Sequence, residues 1–177
     1  MSAAPYRIAI LGAESSGKST LAATLAERLG TVWVPEYLRE FVEKEGRVPV
    51  AGDQFLIAST QVAREHEAAA RAKRVMVCDT TPLMTVLYSR HYFDGEDAPL
   101  AALAAATRYD LTLVTAPDTP WVADGLQRES EAVRQRVYQL LLGELAARRI
   151  PHHILHGTLA QRMAQAMPLI ERAIANA

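Results

Sequence analysis

Residues Gly12 to Thr20 read Gly-Ala-Glu-Ser-Ser-Gly-Lys-Ser-Thr and come directly after the apolar run Tyr6 to Leu11. Glycines at 12 and 17 with lysine and serine at 18 and 19 match the spacing of a phosphate-binding loop. In such a loop the backbone N–H groups of Gly12, Ala13, Glu14, Ser15, Ser16 and Gly17 wrap a nucleotide's phosphates. Lys18 reaches the β and γ phosphates, the Ser19 hydroxyl ligates Mg²⁺, and Thr20 sits just inside the next helix. That helix carries Leu21, Ala22, Leu25, Ala26 and Leu29 on one face, and its N-terminus adds the positive end of a dipole. The expectation is a chain that binds ATP or GTP with Mg²⁺.

A loop of this kind works only at the end of a buried strand, which makes the other strands and the residues at their carboxyl ends the next places to find function. Five short apolar runs, Tyr6–Leu11, Thr31–Pro35, Arg74–Asp79, Leu111–Thr115 and His152–Leu155, alternate with helical stretches near 18–29, 37–45, 53–72, 81–91, 98–107, 130–149 and 158–175. This alternation predicts an α/β fold: a five-stranded parallel sheet with helices on both faces, the three-layer architecture of P-loop nucleotide-binding enzymes. Ligands bind such sheets beyond the carboxyl ends of the strands. Glu36 comes after the second strand, placed to take a proton from a substrate hydroxyl or simply to favour a helix N-terminus. Asp79 closes the third, as a Mg²⁺ ligand beside Ser19 or as a helix cap ahead of Pro82.

After the fourth strand, residues 117–136 hold prolines, Trp121, Asp124, Gly125 and Arg128, a composition suited to a lid that closes over ATP and offers Arg128 to the γ phosphate. Arg134 and Arg136 read equally well as lid or surface residues. Tyr88, Tyr92 and Phe93 read as core, not as an aromatic box. His152, His153 and His156 lack an obvious metal geometry.

The bulk properties narrow the class. At 177 residues, half of them hydrophobic and with a formal net charge of −1, the chain fits one domain over 1–177. No basic surplus points to nucleic acid, and no apolar run approaches membrane-spanning length. The single cysteine, Cys78, fits a cytoplasmic protein with a buried, inert thiol. Oligomeric state is not encoded in any pattern along the chain.

Beyond the phosphate loop, Glu36-Tyr37 with Arg39-Glu40, Asp53 with Gln61, Cys78-Asp79-Thr80, Arg108-Tyr109-Asp110-Leu111 and Pro120-Trp121-Val122-Ala123-Asp124-Gly125-Leu126 occur in order. The series resembles the ribosylnicotinamide kinase domain of the bifunctional and trifunctional bacterial NAD-biosynthesis regulators, over residues 6 to 172. The resemblance implies ATP-dependent phosphorylation of the 5′-hydroxyl of nicotinamide riboside. It implies catalytic roles for Lys18, Glu36, Asp79 and Arg128, substrate contacts from Glu36, Tyr37, Arg39, Gln61, Trp121 and Asp124, and Mg²⁺ held by Ser19 and Asp79. Pro35 and Val62 stand where the family pattern implies aromatic residues to stack a pyridine ring. No His-x-Gly-His nucleotidyltransferase motif is present, so a single reaction is expected. Two alternatives stand beside this reading: a kinase for another nucleoside or vitamin alcohol, and a nucleotide-dependent switch with little chemistry.

Overall fold

The computed structural model describes residues 4–122 and 130–175. Five strands, β1 (Tyr6–Leu11), β2 (Val32–Val34), β3 (Val75–Asp79), β4 (Leu111–Thr115) and β5 (His153–Leu155), form one parallel sheet in the order β2-β3-β1-β4-β5. β1 is central. Ile8 aligns with Val77 of β3 on one side and with Leu111 of β4 on the other. The expected strands are all present; the edge strands β2 and β5 are shorter than the apolar runs suggest, because pairing on one side only supports fewer residues.

Side chains alternate across the sheet and divide the core in two. Ile8, Ile10, Val77 and Leu113 face α1 (Lys18–Leu29) and α7 (Leu159–Ala175), meeting Leu21, Leu25, Ala166 and Ile170. Leu11 and Val114 face the opposite layer, where α4 (Pro82–Phe93) contributes Leu83, Met84 and Leu87 and α6 (Glu131–Ala147) contributes Val137, Leu141 and Leu145. Each such leucine, fully buried, is worth about 2 kcal/mol of transfer free energy. The second layer also holds α2 (Tyr37–Glu45), α3 (Gln54–Ala69) and α5 (Ala98–Ala106). The sequence pattern starts α3 at 53, whereas a short 3₁₀ turn at Ala51–Asp53 precedes it. Among the described residues no helix is long and apolar enough to cross a membrane.

The phosphate loop begins where β1 ends and is fitted to its neighbour strand. A Cβ added at Gly12 would lie 2.2 Å from Thr115 Oγ1, 2.7 Å from Ser16 Oγ and 3.0 Å from the Thr115 carbonyl oxygen. Those hydroxyls are themselves tied down: Ser16 Oγ is 2.7 Å from Thr115 Oγ1 and 2.6 Å from the Ala13 carbonyl. At the loop's other end Gly17, with φ of 83°, forms the N-cap of α1 in the left-handed region. Glycine enters that region without a Cβ penalty.

Under the sheet lies a buried ionic cluster. Glu65 of α3 meets Arg7 of β1 and accepts a bond from the Tyr109 hydroxyl at 3.0 Å, while the Arg7 guanidinium sits 4.7 Å over the Tyr109 ring. Burial pushes the Glu65 carboxyl up to about 7, with Arg7 and Tyr109 pulling the other way. Cys78 shares this environment, and its thiol is pushed up by burial, as expected of an inert core cysteine. Between the ordinary carboxyl value of 4.5 and about 7, the folded protein keeps a proton that the unfolded chain releases. The Glu65 contribution to stability therefore falls as pH rises through that window, then levels. In urea titrations the stability difference between wild type and Glu65→Gln should shrink with rising pH across it; a difference independent of pH contradicts the assignment. Gly12→Ala should cost about 1–3 kcal/mol by overpacking and abolish the rise in melting temperature that ADP produces. An unchanged ADP shift contradicts the fitted-loop reading.

Candidate active site

The carboxyl ends of β1, β2, β3 and β4 converge on two adjoining depressions. The first, about 330 Å³, is lined by Ser15, Ser16, Gly17, Lys18, Ser19 and Thr20 of the phosphate loop, with Arg39, Thr119, Pro120 and Val122. The second, about 450 Å³ and more apolar in character, runs between α2, the start of α3 and α4. Ser15, Lys18 and Arg39 line both. Any group moving from one depression to the other passes two cations.

Lys18 is almost entirely buried, and its Nζ donates to the Ala13 carbonyl at 2.9 Å, so the ammonium lies across the loop's mouth. Asp79, at the end of β3, is fully buried. Its Oδ2 accepts a 2.6 Å bond from Ser19 Oγ, and its Oδ1 has no partner. Burial pushes the Asp79 carboxyl up, while Lys18, the Ser19 hydroxyl and Arg39 hold it down. The helix cap offered as the alternative role for Asp79 falls instead on Thr81, with Pro82 in the first turn of α4. Asp79 lines neither depression; Glu36 lines the second.

The other sequence candidates fall in different places. Glu14 faces the second depression, not the phosphate pocket. Gln61 lines the second depression while its amide staples backbone to backbone: Oε1 accepts from Tyr37 N at 2.8 Å and Nε2 donates to the Asp79 carbonyl at 3.4 Å. The Tyr37 ring is turned away, beneath the Arg64 guanidinium at 4.6 Å and edge-on to Phe41. Glu40 pairs with Arg64, not with its neighbour Arg39. Trp121 lines neither pocket, although the adjacent Val122 exchanges bonds with Ser15 Oγ at 3.0 and 3.2 Å. Asp124 and Arg128 lie outside the described residues.

Two expectations need correction. Tyr92 and Phe93 are not core residues: with Tyr88, which also packs against the core, they line the second depression, and Tyr92 is 48% exposed. The four-residue spacing puts Tyr88 and Tyr92 on one face of α4, with rings 6.2 Å apart and 7° from parallel. That face borders the cleft, where Met84 joins it, while Leu83 and Leu87 turn to the core. Val62, at one of the two positions where the family pattern implies an aromatic residue, is buried. Arg134, for which the sequence leaves lid and surface open, is instead 3% exposed and bonds the loop backbone. Arg162 behaves alike at 2% exposed. A lone arginine among apolar positions of a helix is the available signal for both.

Against known proteins, residues 7–162 match the AAA domain family. The trifunctional NAD biosynthesis/regulator protein NadR of Salmonella typhimurium is 34% identical over 146 residues, covering 78% of this chain and 35% of that protein. The chain therefore spans about a third of the length of that relative. Among solved structures, NadR in complex with NR superposes with a TM-score of 0.83 at 21% identity, over 97% of this chain and 52% of that one. Thymidylate kinase from Candida albicans gives 0.71 at 18% identity, over 97% and 93%. At these identities the superpositions establish the architecture, a five-stranded P-loop kinase fold, and the match from 7 to 162 makes the chain a member of the AAA domain family.

Proposed function

We propose that the protein transfers the γ phosphoryl group of ATP to the 5′-hydroxyl of a nucleoside, with nicotinamide riboside as acceptor and nicotinamide mononucleotide as product. The observation that carries this reading is the shared lining of the two depressions by Ser15, Lys18 and Arg39. A nucleotide switch needs only the first depression. A bimolecular transfer requires a roomy second cleft opening onto the phosphate end, and this one also holds an acid and stacked aromatic rings. Similarity to NadR, whose name places it in NAD biosynthesis, supports the choice of acceptor.

In this reading the phosphate loop seats ATP, and Lys18 and Arg39 flank the phosphoryl group as it crosses between the pockets. The family resemblance implies that Arg128 adds a further positive charge toward the γ phosphate. Transfer of this kind rests on positioning and charge neutralisation more than on covalent chemistry. Glu36 is the favoured base because its residue lines the acceptor cleft, which Asp79 does not reach. Tyr88 and Tyr92 offer a face on which a planar base would stack, at an affinity gain of about 0.5–1.5 kcal/mol beyond burial. Asp79 and Ser19 fit a divalent cation: a carboxylate and a hydroxyl are already 2.6 Å apart, and one buried carboxylate oxygen lacks a partner. Bound there, Mg²⁺ would offset charge on the nucleotide's phosphate oxygens.

The test is turnover of ATP and Mg²⁺ with nicotinamide riboside and a panel of nucleosides, with products read by mass. Nicotinamide mononucleotide is the expected product. A different phosphorylated nucleoside would overturn the acceptor, and ADP release indifferent to the whole panel would favour the switch. Glu36→Gln should lower kcat by about 10²–10⁴-fold with KM for ATP nearly unchanged, whereas Asp79→Asn should raise the Mg²⁺ concentration needed for half-maximal rate. Near-normal turnover in Glu36→Gln moves the base to Asp79.

A further inference from the structure

Two buried guanidinium groups grip the outer side of the phosphate loop. Arg134 of α6 donates through Nη1 to the Ser15 carbonyl at 3.0 Å, and through Nη2 to the carbonyls of Thr119 at 2.7 Å and Pro117 at 3.3 Å. Its Nη2 is also 2.7 Å from Glu131. Arg162 of α7 donates through Nη1 to the Ser16 carbonyl, and through Nη2 to the Ala116 carbonyl and Asp118 Oδ1, each at 2.8 Å. The two side chains come from helices on opposite faces of the sheet, yet they take consecutive carbonyls of one loop. Each also ties that loop to the segment leaving β4. Neither guanidinium lines the phosphate pocket. Arg162 instead abuts Gly17, where an added Cβ would lie 3.0 Å from Nη1.

Peptide geometry turns these contacts into a consequence for binding. The described peptides are all trans, so each C=O points opposite to the N–H of the next residue. Holding the Ser15 and Ser16 carbonyls outward therefore turns the N–H groups of Ser16 and Gly17 inward, toward the pocket those residues line. A free loop would sample other peptide orientations, and each flipped peptide would present a carbonyl oxygen to an anion. Burial of two charges is costly unless their donors are used. Here four of the six guanidinium nitrogens are spent on the loop and its partner segment, and both Nε atoms are left without partners. A surface role would not require this arrangement.

We infer that Arg134 and Arg162 are positioning residues that preorganise the phosphate loop for the β phosphate of a nucleotide, by fixing two successive peptide units from behind. The inference rests on the nucleotide-binding part of the proposed function, not on the acceptor. Its readout is the ratio of ADP to AMP affinity, measured by calorimetry and competition without acceptor or Mg²⁺. That ratio isolates the β phosphate, the group a phosphate loop holds most directly. In Arg134→Gln and Arg162→Gln the ratio should fall at least tenfold, with AMP affinity within about threefold of wild type. Lysine at either position keeps the charge with a less directional donor set and should fall in between; these variants carry the test if the glutamine variants do not fold. ADP and AMP affinities that decline together, leaving the ratio intact, mean a purely structural role and overturn the inference, as does an unchanged ADP affinity. A wild-type protein with no preference for ADP over AMP would overturn the nucleotide reading itself.

Discussion

The orientation of the peptide units between Gly12 and Lys18 is the constraint on which the rest depends. An anion bound by backbone needs N–H groups pointing inward and every carbonyl directed elsewhere. The structure supplies that elsewhere from several directions. Lys18 and Ser16 take the Ala13 carbonyl, Arg134 takes that of Ser15 and Arg162 that of Ser16. Thr115, at the end of β4, closes against Gly12 and Ser16 so tightly that no larger residue fits at position 12. The loop is thus braced by the central strand, its neighbour and helices from both faces of the sheet.

The same sheet ends also divide the site. β3 delivers Asp79 to Ser19 of the phosphate loop, and β2 delivers Glu36 to the second depression. Gln61 links the two segments, from Tyr37 N to the Asp79 carbonyl. Such cross-bracing suits a transfer site, where a displacement of about 1 Å is enough to cost rate.

Much of this is legible in the sequence. The phosphate loop, the five strands and the acids after β2 and β3 emerge from local patterns: a glycine-lysine-serine spacing, apolar runs and residues at run ends. The parts that local patterns misassign depend on which way a helix faces. Tyr88 and Tyr92 have a helical spacing that fits core and cleft alike, and only the packing of α4 through Leu83 and Leu87 leaves both at the cleft, with Tyr88 also touching the core. Arg134 and Arg162 obey the same logic in reverse. A charged residue on an amphipathic helix reads as solvent-facing until its turn is found beneath the phosphate loop, more than a hundred residues away in the chain. Tyr37, a neighbour of two cleft residues, turns out of the cleft because consecutive positions on a helix face different ways.

The central claim is that the two depressions are halves of one transfer site, joined at Ser15, Lys18 and Arg39. Its most direct test is the affinity of a bisubstrate compound, adenosine and nicotinamide riboside linked 5′ to 5′ through a polyphosphate bridge. If the halves are joined, the compound competes with both ADP and the free nucleoside. It should also bind at least about 10²-fold more tightly than ADP, because its second half binds at high effective concentration. Competition with ADP alone, at an affinity no better than that of ADP, would contradict a joined site.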